Sequence, residues 1–576
     1  MGHIWKKYEV DQDEVLSLAA AIAEQKHPEK KPSSELKILC NSLVHREIKS
    51  IDEAKSFLNP LSITEYDPLS MRGMNEAVKR LKQAIDHNEI IMVYGDYDVD
   101  GTTAVALMIS YLQSRTNNVF HYIPDRHTEG YGISKIGVEF AADQGATLTI
   151  ALDCGIKAIE EITLGKEKGI DFIICDHHTP TDTLPDAIIL NPKQPKCTYP
   201  FKELSGCAIG YKLIKAFEAL EPSDFNANEL LDFVAVSLAC DIVPLIDENR
   251  VLAAKGIQTL CENRRPSFEL MLGMDLANDV PTIADLVFKI GPKVNSAGRM
   301  DHGHRAVELM LEKKLDKARE LFSPLLELNI ERRVHEQKAT LEALEDLEKI
   351  KERRFTNVVF RPEWHKGVIG IVASRLIEHY YRPTIVFTES NGSLVGSARS
   401  IQDFDIYETL LSCSHHFIQF GGHKYAAGIE LEQTKFQLFQ DEFEIKVKEK
   451  LQGKEPVSEL YYEMEIELSQ ITLSLARKLQ RISPFGPGNK RPAFVIRNLH
   501  DTGKSRAVGA DKDHLQLFVT TARNSDASIK GIAFGLGKLL GQIQHKEFDI
   551  LANISINRWK GTEQVQLEVK DIRLYQ

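Results

Sequence analysis

Cysteine is scarce: eight residues are scattered over 576 positions, and no pair has CxxC spacing. This excludes a disulfide framework and leaves no spacing suited to a structural zinc site. Cys154 and Cys175 each close an apolar run, where buried packing is the plain role. Long hydrophobic runs are missing too, and without about 18 consecutive apolar residues nothing reads as a membrane span. Met1-Gly2-His3-Ile4-Trp5-Lys6-Lys7 leads into charged chain rather than an apolar signal core. Lys6 also stands where a myristoylation motif carries Ser or Thr. Repeats and low-complexity tracts are absent. The expectation is a soluble, cytoplasmic protein with no membrane partner.

What is present is average for a folded protein: 43% hydrophobic and 27% charged residues, which excludes wholesale disorder and fibrous repeats. At about 150 residues per domain the length predicts about four domains. The net charge of −12, from 71 basic and 83 acidic residues, argues against a non-specific coat on duplex DNA. It leaves room for a basic channel on one face, because whole-chain charge averages local patches away.

The first sixty residues read as short amphipathic helices ending near Asn59-Pro60. From 61 to 303 strands and helices alternate. Short β-rich runs at 90–94, 119–123, 147–152, 171–175 and 187–190 predict a doubly wound parallel sheet. Ligands of such sheets bind beyond the carboxyl ends of the strands. A charged helical connector follows at 304–354. Pro324 inside it costs about 3 kcal/mol and predicts a kink or two helices. A second, smaller α/β segment spans 355–452. In 457–576 the alternating runs at 515–520, 529–534, 550–556 and 565–569 predict a small β-barrel or sandwich.

The octapeptide Tyr94-Gly95-Asp96-Tyr97-Asp98-Val99-Asp100-Gly101 places three carboxylates within five residues, which repel unless cations or solvent neutralise them. A calcium loop of the EF-hand kind fails. Its twelfth position, counted from Asp96, is Leu107 rather than Glu, and a strand precedes it. A solvated acidic turn is the plain alternative. The pattern recurs, however: apolar runs deliver Asp153, Asp176-His177-His178 and Asp241. One acid after a strand is commonly a cap or turn residue. Several gathered at one sheet edge would be costly to bury without cations. Carboxylates with one or two imidazoles suit manganese or magnesium, and less readily zinc or iron. Two ions about 3.5–4 Å apart would activate water and stabilise an in-line phosphoryl displacement.

The octapeptide, Leu152-Asp153-Cys154-Gly155, Asp176-His177-His178 and Asp241-Ile242-Val243-Pro244, in this order, resemble the DHH phosphoesterase superfamily. Further segments resemble the RecJ-type family of single-strand-specific exonucleases within it. They are Gly291-Pro292-Lys293-Val294-Asn295-Ser296-Ala297-Gly298-Arg299-Met300, Trp364-His365-Lys366-Gly367-Val368-Ile369-Gly370, Gly396-Ser397-Ala398-Arg399-Ser400, Gly421-Gly422-His423 and Pro484-Phe485-Gly486-Pro487-Gly488-Asn489. The resemblance covers nearly everything after about residue 60. It implies a DHH catalytic domain, a DHH-associated substrate-binding domain and an oligonucleotide-binding barrel of the OB type.

The resemblance further implies two Mn2+ or Mg2+ ions per active site, held by Asp98, Asp100, Asp153, His177 and Asp241, with Asp153 the bridge and Asp96 an additional ligand. Tyr94 departs from the superfamily, which often has a metal-binding His there. A phenol ionises near pH 10 and is a poor ligand at neutral pH. His178 would face the scissile phosphate or orient His177, and Asp176 would buttress the loop. Arg126 resembles the family's phosphate-contacting arginine. Ser397 and Arg399, in a glycine-containing turn, could converge on the same anion. His302 and His304, beside Arg299 and Arg305, give a positive local surface that could line a nucleic-acid path, the equal alternative being a helix start. His423, after two glycines, could donate to a phosphate, the alternative being an ordinary turn. His415-His416 reads as a loop rather than a metal site, because Cys413 and Ser414 complete no ligand spacing.

Between Arg477 and Arg506 the basic Arg477, Lys478, Arg481, Lys490, Arg491, Arg497, Lys504 and Arg506 face only one acid, Asp501. Phe485, Phe494 and Phe518 are interleaved with them. That suits single strands stacked on aromatic platforms at about 1–3 kcal/mol per base, the alternative being barrel core. The implied function is 5′→3′ hydrolysis of single-stranded DNA to 5′-mononucleotides, in DNA repair and recombination, by a monomer. A single-strand-binding protein and a helicase fit as partners. The alternatives are a DHH phosphodiesterase of short oligonucleotides or cyclic dinucleotides, and a non-catalytic single-strand-binding relative.

Overall fold

A computed structural model describes the chain apart from residues 1–2, 27–30, 127, 301, 351–353, 522–527, 560 and 576. The first element is a strand, β1 (Ile4–Lys7), whose partner lies near the other end of the sequence. Helices Gln12–Lys26, Ser34–Val44 and Ile51–Leu58 follow, as the amphipathic pattern predicts.

The first sheet is all parallel. Its strands are β2 (Ile91–Gly95), β3 (Val119–Tyr122), β4 (Leu148–Leu152), β5 (Asp171–Cys175) and β6 (Ile188–Leu190), in the order β3-β2-β4-β5-β6. Unbroken apolar runs are what strands buried on both faces require. Alternation then sorts the side chains. Ile91 and Val93 enter one core with helices Val99–Leu112, Gly206–Leu220 and Leu231–Cys240, whereas Met92 and Tyr94 enter a second core on the opposite face. The register sets Gly95 beside Leu152 and Leu152 beside Cys175, so β2, β4 and β5 end level. The residues after those ends are Asp96, Asp153 and Asp176.

The connector is two helices, His304–Leu311 and Leu315–Lys349, but the break falls at 312–314 and not at Pro324. Leu315–Lys349 is a single helix running through Pro324. It is also more than a solvated rod. Ala318 and Leu325 are buried in the first core, while Ala339 and Ala343 pack with Trp364, Val368 and Val372. Full burial of Leu325, and of Trp364, Val368 and Val372 against the helix's alanines, contributes about 1.5–3 kcal/mol per large side chain, comparable to the roughly 3 kcal/mol cost of an interior proline.

The second sheet has β7 (Asn357–Phe360), β8 (Thr384–Ser390), β9 (Ser393–Arg399), β10 (Phe417–His423) and β11 (Ala426–Leu431), ordered β10-β11-β9-β8-β7. Only β7 and β8 run parallel. The two-residue turn Asn391-Gly392, with φ of 52° and 81°, is a hairpin connection that favours these residue types.

The last region carries β12 (Glu459–Tyr462), β13 (Met464–Glu465), β14 (Ala493–Asp501), β15 (Arg506–Val508), β16 (His514–Thr520), β17 (Ile529–Ala533), β18 (Phe548–Trp559) and β19 (Thr562–Leu574). Pairing runs β14-β18-β19-β17-β16 and returns from β16 to β14, closing a five-stranded barrel of the OB kind. Phe494 is fully buried inside it and cannot serve as a stacking platform. Phe485 is half-buried beneath Arg491, and Phe518 is half-buried between the buried Leu517 and Val519. Half of the basic stretch is neutralised by acids brought from elsewhere: Arg477 by Glu563, Lys478 by Glu35, Arg491 by Glu568, and Arg497 by Glu465 and Asp549.

The N-terminal helices join this region. Val15, Leu18, Leu39 and Leu43 share a core with Ile466, Leu475 and Leu479, and β1 pairs in parallel with β12 from Ile4↔Glu459 to Lys7↔Tyr462. Among the described residues no helix is long and apolar enough to cross a membrane.

Candidate metal centre

The level ends of β2, β4 and β5 set the site. After β2 the chain turns tightly into helix Val99–Leu112. Gly101 is obligatory there, because a Cβ would lie 2.4 Å from Asp96 O. Asp98 caps the helix by accepting from the N–H groups of Asp100 at 2.9 Å and Gly101 at 3.2 Å. Asp100 is fixed by Gly206 N at 2.6 Å, Cys207 N at 2.9 Å and Ser237 Oγ at 2.6 Å. The two backbone donors are the first residues of helix Gly206–Leu220, whose positive end favours a carboxylate.

After β4, Asp153 adopts φ +60°, a left-handed conformation uncommon for a residue other than glycine. Gly206 makes room for it, since a Cβ at that position would sit 2.6 Å from the Asp153 Cβ. After β5, the buried Asp176 carboxylate accepts from Ile156 N at 2.9 Å, His178 N at 3.0 Å and His178 Nδ1 at 2.8 Å, so its oxygens are taken up in holding the loop. Asp241 comes from the C-terminal end of helix Leu231–Cys240, and Ile242 behind it has φ +62°.

These side chains meet. His177 Nε2 lies 3.2 Å from Asp153 Oδ1, 3.5 Å from Asp241 Oδ2 and 4.0 Å from Asp100 Oδ2. Three sets of potential ligand atoms each fall within 4.8 Å of one another: Asp96, Asp98 and Asp153; Asp100, His177 and Asp241; Asp153, His177 and His178. Asp153 and His177 are each shared between two sets.

The electrostatics are unfavourable without a cation. Asp96 Oδ1, Asp153 Oδ1, His177 Nε2 and Asp241 Oδ2 are buried with no hydrogen-bond partner. An isolated buried ion costs several kcal/mol, so three unpaired carboxylate oxygens buried in overlapping clusters with an imidazole nitrogen call for a counter-charge. Burial, followed by the charges of Asp100, Asp98 and Asp241, pushes the Asp153 carboxyl well above its ordinary range. Burial and Asp100 do the same to Asp241, and burial and Asp98 to Asp96. Burial and Asp100 also raise Asp98, whereas burial lowers His177 and favours its neutral, ligating form. Oxygen donors with one or two imidazoles fit hard divalent ions.

Tyr94 does not join the cluster. Its ring is buried on the opposite face of the sheet, and its hydroxyl donates to Gly132 O at 2.9 Å and accepts from Ser134 N at 3.1 Å. It thereby holds the loop bearing Tyr131, a residue the sequence reading passed over. The Tyr131 hydroxyl donates to Asp153 O at 3.0 Å and lies 3.1 Å from His178 Nε2. The flanking Gly130 and Gly132, with φ of 85° and 89°, are the one signal in the sequence that this loop takes a special conformation.

The arginines gather separately. Arg126 lies 4.9 Å over the Tyr97 ring. Arg299 donates to Gly367 O at 3.1 Å, and burial with the neighbouring charges of Arg126 and Arg399 lowers its pKa to about 10. Burial and Arg126 lower Arg399, whose Nη1 donates to Ser397 Oγ at 3.0 Å. Arg126, Arg299, Ser397 and Arg399 therefore share one neighbourhood of concentrated positive charge. His423, at the end of β10, instead faces a cavity of about 460 Å3 that it lines with Tyr131, Lys157 and His178. His302 is paired with Asp125 at 3.3 Å, which reduces the positive surface expected beside Arg299.

Comparison with known proteins follows this division. Residues 90–238 match the DHH family N-terminal domain, 353–449 the DHHA1 domain and 462–571 the RecJ OB domain. The chain is 35% identical over 576 residues to the single-stranded-DNA-specific exonuclease RecJ of Bacillus subtilis, covering 98% of this chain and 70% of that protein. It is 32% identical over 545 residues to the RecJ of Haemophilus influenzae, covering 90% and 93%. A crystal structure of RecJ in complex with Mn2+ from Thermus thermophilus superposes with a TM-score of 0.80 at 25% identity, over 99% of this chain and 79% of that one. With unsatisfied acids at level strand ends, two α/β sheets and a closed barrel that superpose on such a relative over almost their whole length, the chain belongs to the RecJ family.

Proposed function

We propose that this protein is a metal-dependent 5′→3′ exonuclease specific for single-stranded DNA, releasing 5′-mononucleotides in cytoplasmic DNA repair and recombination. The observation that carries this reading is the buried, unsatisfied set Asp96, Asp153, His177 and Asp241. Three overlapping ligand sets, linked through Asp153 and His177, support a pair of ions, Mn2+ or Mg2+, held by Asp96, Asp98, Asp100, Asp153, His177 and Asp241. Bound there, divalent ions supply Lewis-acid stabilisation at phosphorus and a nucleophile drawn from water at neutral pH.

The chain's own groups do the rest. Asp98 and Asp100 are held rigidly by helix ends, so the acidic cluster is organised before substrate arrives. His178, fixed between Asp176 and Tyr131, presents its imidazole at the rim where the scissile phosphate would sit. Arg126, Arg299, Ser397 and Arg399 offer charge-assisted donors to a terminal 5′-phosphate. A fixed distance from that anchor to the acids would measure off one nucleotide and set the polarity. His423 would contact the strand from the opposite side of the cavity. We read the units as 61–303, 304–354, 355–452 and 457–576, with the barrel receiving single-stranded DNA. A monomer with a single-strand-binding protein and a helicase as partners fits this activity.

The closed barrel favours long strands over cyclic dinucleotides, and the complete acidic cluster favours catalysis over binding alone. The test is a manganese-supplemented digestion of single strand, duplex and dinucleotide, each labelled at either end. Release of label from the 5′ end of the single strand alone is expected. Preferential cleavage of the dinucleotide would overturn the reading.

A further inference from the structure

Among the described residues, one ligand-bearing cluster lies outside the acidic centre. His415 and His416 form a single turn, Ser414–His416, at the root of β10. Against expectation from their spacing, the fold supplies a third donor: Glu442, from helix Phe436–Lys450, turns to face both rings. His415 Nε2 lies 3.2 Å and His416 Nε2 2.8 Å from the same oxygen, Glu442 Oε2. The two rings are 4.2 Å apart, centroid to centroid. Ligand atoms around a tetrahedral zinc ion, bound at about 2.0–2.2 Å, stand roughly 3.3 Å from one another. Both rings aim the same nitrogen at one carboxylate, close to the spacing such an ion imposes.

We propose that His415, His416 and Glu442 form a second metal site, suited to Zn2+ and distinct in chemistry from the oxygen-rich centre. Two imidazoles and one carboxylate, leaving a fourth position open to water, are one of the ligand sets that hold Zn2+. His416 is largely buried and Glu442 half-buried, which restrains two of the three donors before an ion arrives, while His415 is exposed and gives access. The site ties helix Phe436–Lys450 to the start of β10, an edge strand bonded on one side only to β11. The far end of that strand carries His423 into the cavity beside His178. Zinc would therefore stiffen a hairpin that borders the reaction centre without touching the acids.

The experiment counts Zn2+ bound per full-length protein by isothermal titration and by atomic absorption after gel filtration. Wild type is compared with His416→Ala, His415→Ala and Glu442→Gln, all in the same excess of Mn2+. Zinc taken up by the acidic centre is common to every sample and cancels in the difference. Wild type should bind one equivalent more than either histidine variant, and Glu442→Gln should weaken that equivalent by about tenfold or more. The exposed His415→Ala keeps the comparison available should His416→Ala fail to fold, with circular dichroism as the check. Equal zinc counts in wild type and folded His415→Ala would overturn the proposal, leaving the cluster as hydrogen bonds to a carboxylate.

Discussion

The sheet edge and the barrel flank handle charge in opposite ways. At the edge of the first sheet, acids from three strand ends and a helix end crowd together. Oxygens of Asp96, Asp153 and Asp241, with the Nε2 of His177, are left there without a hydrogen-bond partner. On the flank of the barrel, four of the eight basic residues that look uncompensated in sequence, Arg477, Lys478, Arg491 and Arg497, are met by Glu35, Glu465, Asp549, Glu563 and Glu568. Charge concentration alone therefore says little about function. What separates the two regions is whether the fold answers the charge, and where it does not, a ligand must.

The strongest way to break this contrast is Asp153→Ala. Cleavage of labelled single-stranded DNA should fall by about 10^3-fold or more, with strand binding largely kept; retained turnover would remove Asp153 from the centre. Arg399→Ala should cut the preference for a 5′-phosphorylated end by about 10- to 100-fold, the worth of a charge-assisted contact, read from cleavage of phosphorylated against unphosphorylated ends. Asp96→Asn replaces one unanswered carboxylate by a neutral group. Thermal melts should show the metal-free protein stabilised by a few degrees and its gain on adding Mn2+ reduced; a destabilised metal-free protein would contradict the crowding argument.

Smaller effects are expected where charges are already paired. Glu568→Ala should change stability by no more than about 1 kcal/mol, since exposed ion pairs contribute little, while freeing Arg491 and steepening the salt dependence of strand binding. Glu35 tests the same pairing through pH. Partial burial pushes its carboxyl up, but hydrogen bonds from Lys478, Thr472 and Ser474 outweigh this and hold it at about 2, against an ordinary 4.5. A carboxyl depressed in the folded state stabilises above its unfolded pKa and loses that contribution as pH falls from about 4.5 toward 2. Glu35→Gln should flatten the acid limb of a melting-temperature profile across that window, and an unchanged slope would assign the acid sensitivity elsewhere.

Much of this was legible in the sequence because it is local. Five apolar runs became five parallel strands, and the acids written directly after three of them arrived at one edge. Asp241 was harder, since it leaves a helix rather than a strand. Tyr131 was missed because its contact with Asp153 depends on a loop anchored by Tyr94 from the far face. The paired state of the barrel flank could not be read at all, because Glu35 and Glu568 lie far from the arginines and lysines they neutralise. The same distance hid Glu442 from His415 and His416. Pro324 marks no break for the converse reason: a local penalty is offset by packing against two separate cores.

The pairing of β1 with β12 has a consequence for biosynthesis. Val15, Leu18, Leu39 and Leu43 cannot bury their side chains until the barrel region has left the ribosome, roughly 400 residues later. At ~5–20 residues per second, that wait is on the order of tens of seconds. During it the first helices are an adhesive surface in search of a partner, so nascent chains should engage chaperones through their earliest segment even while the parallel sheet behind it is already folding.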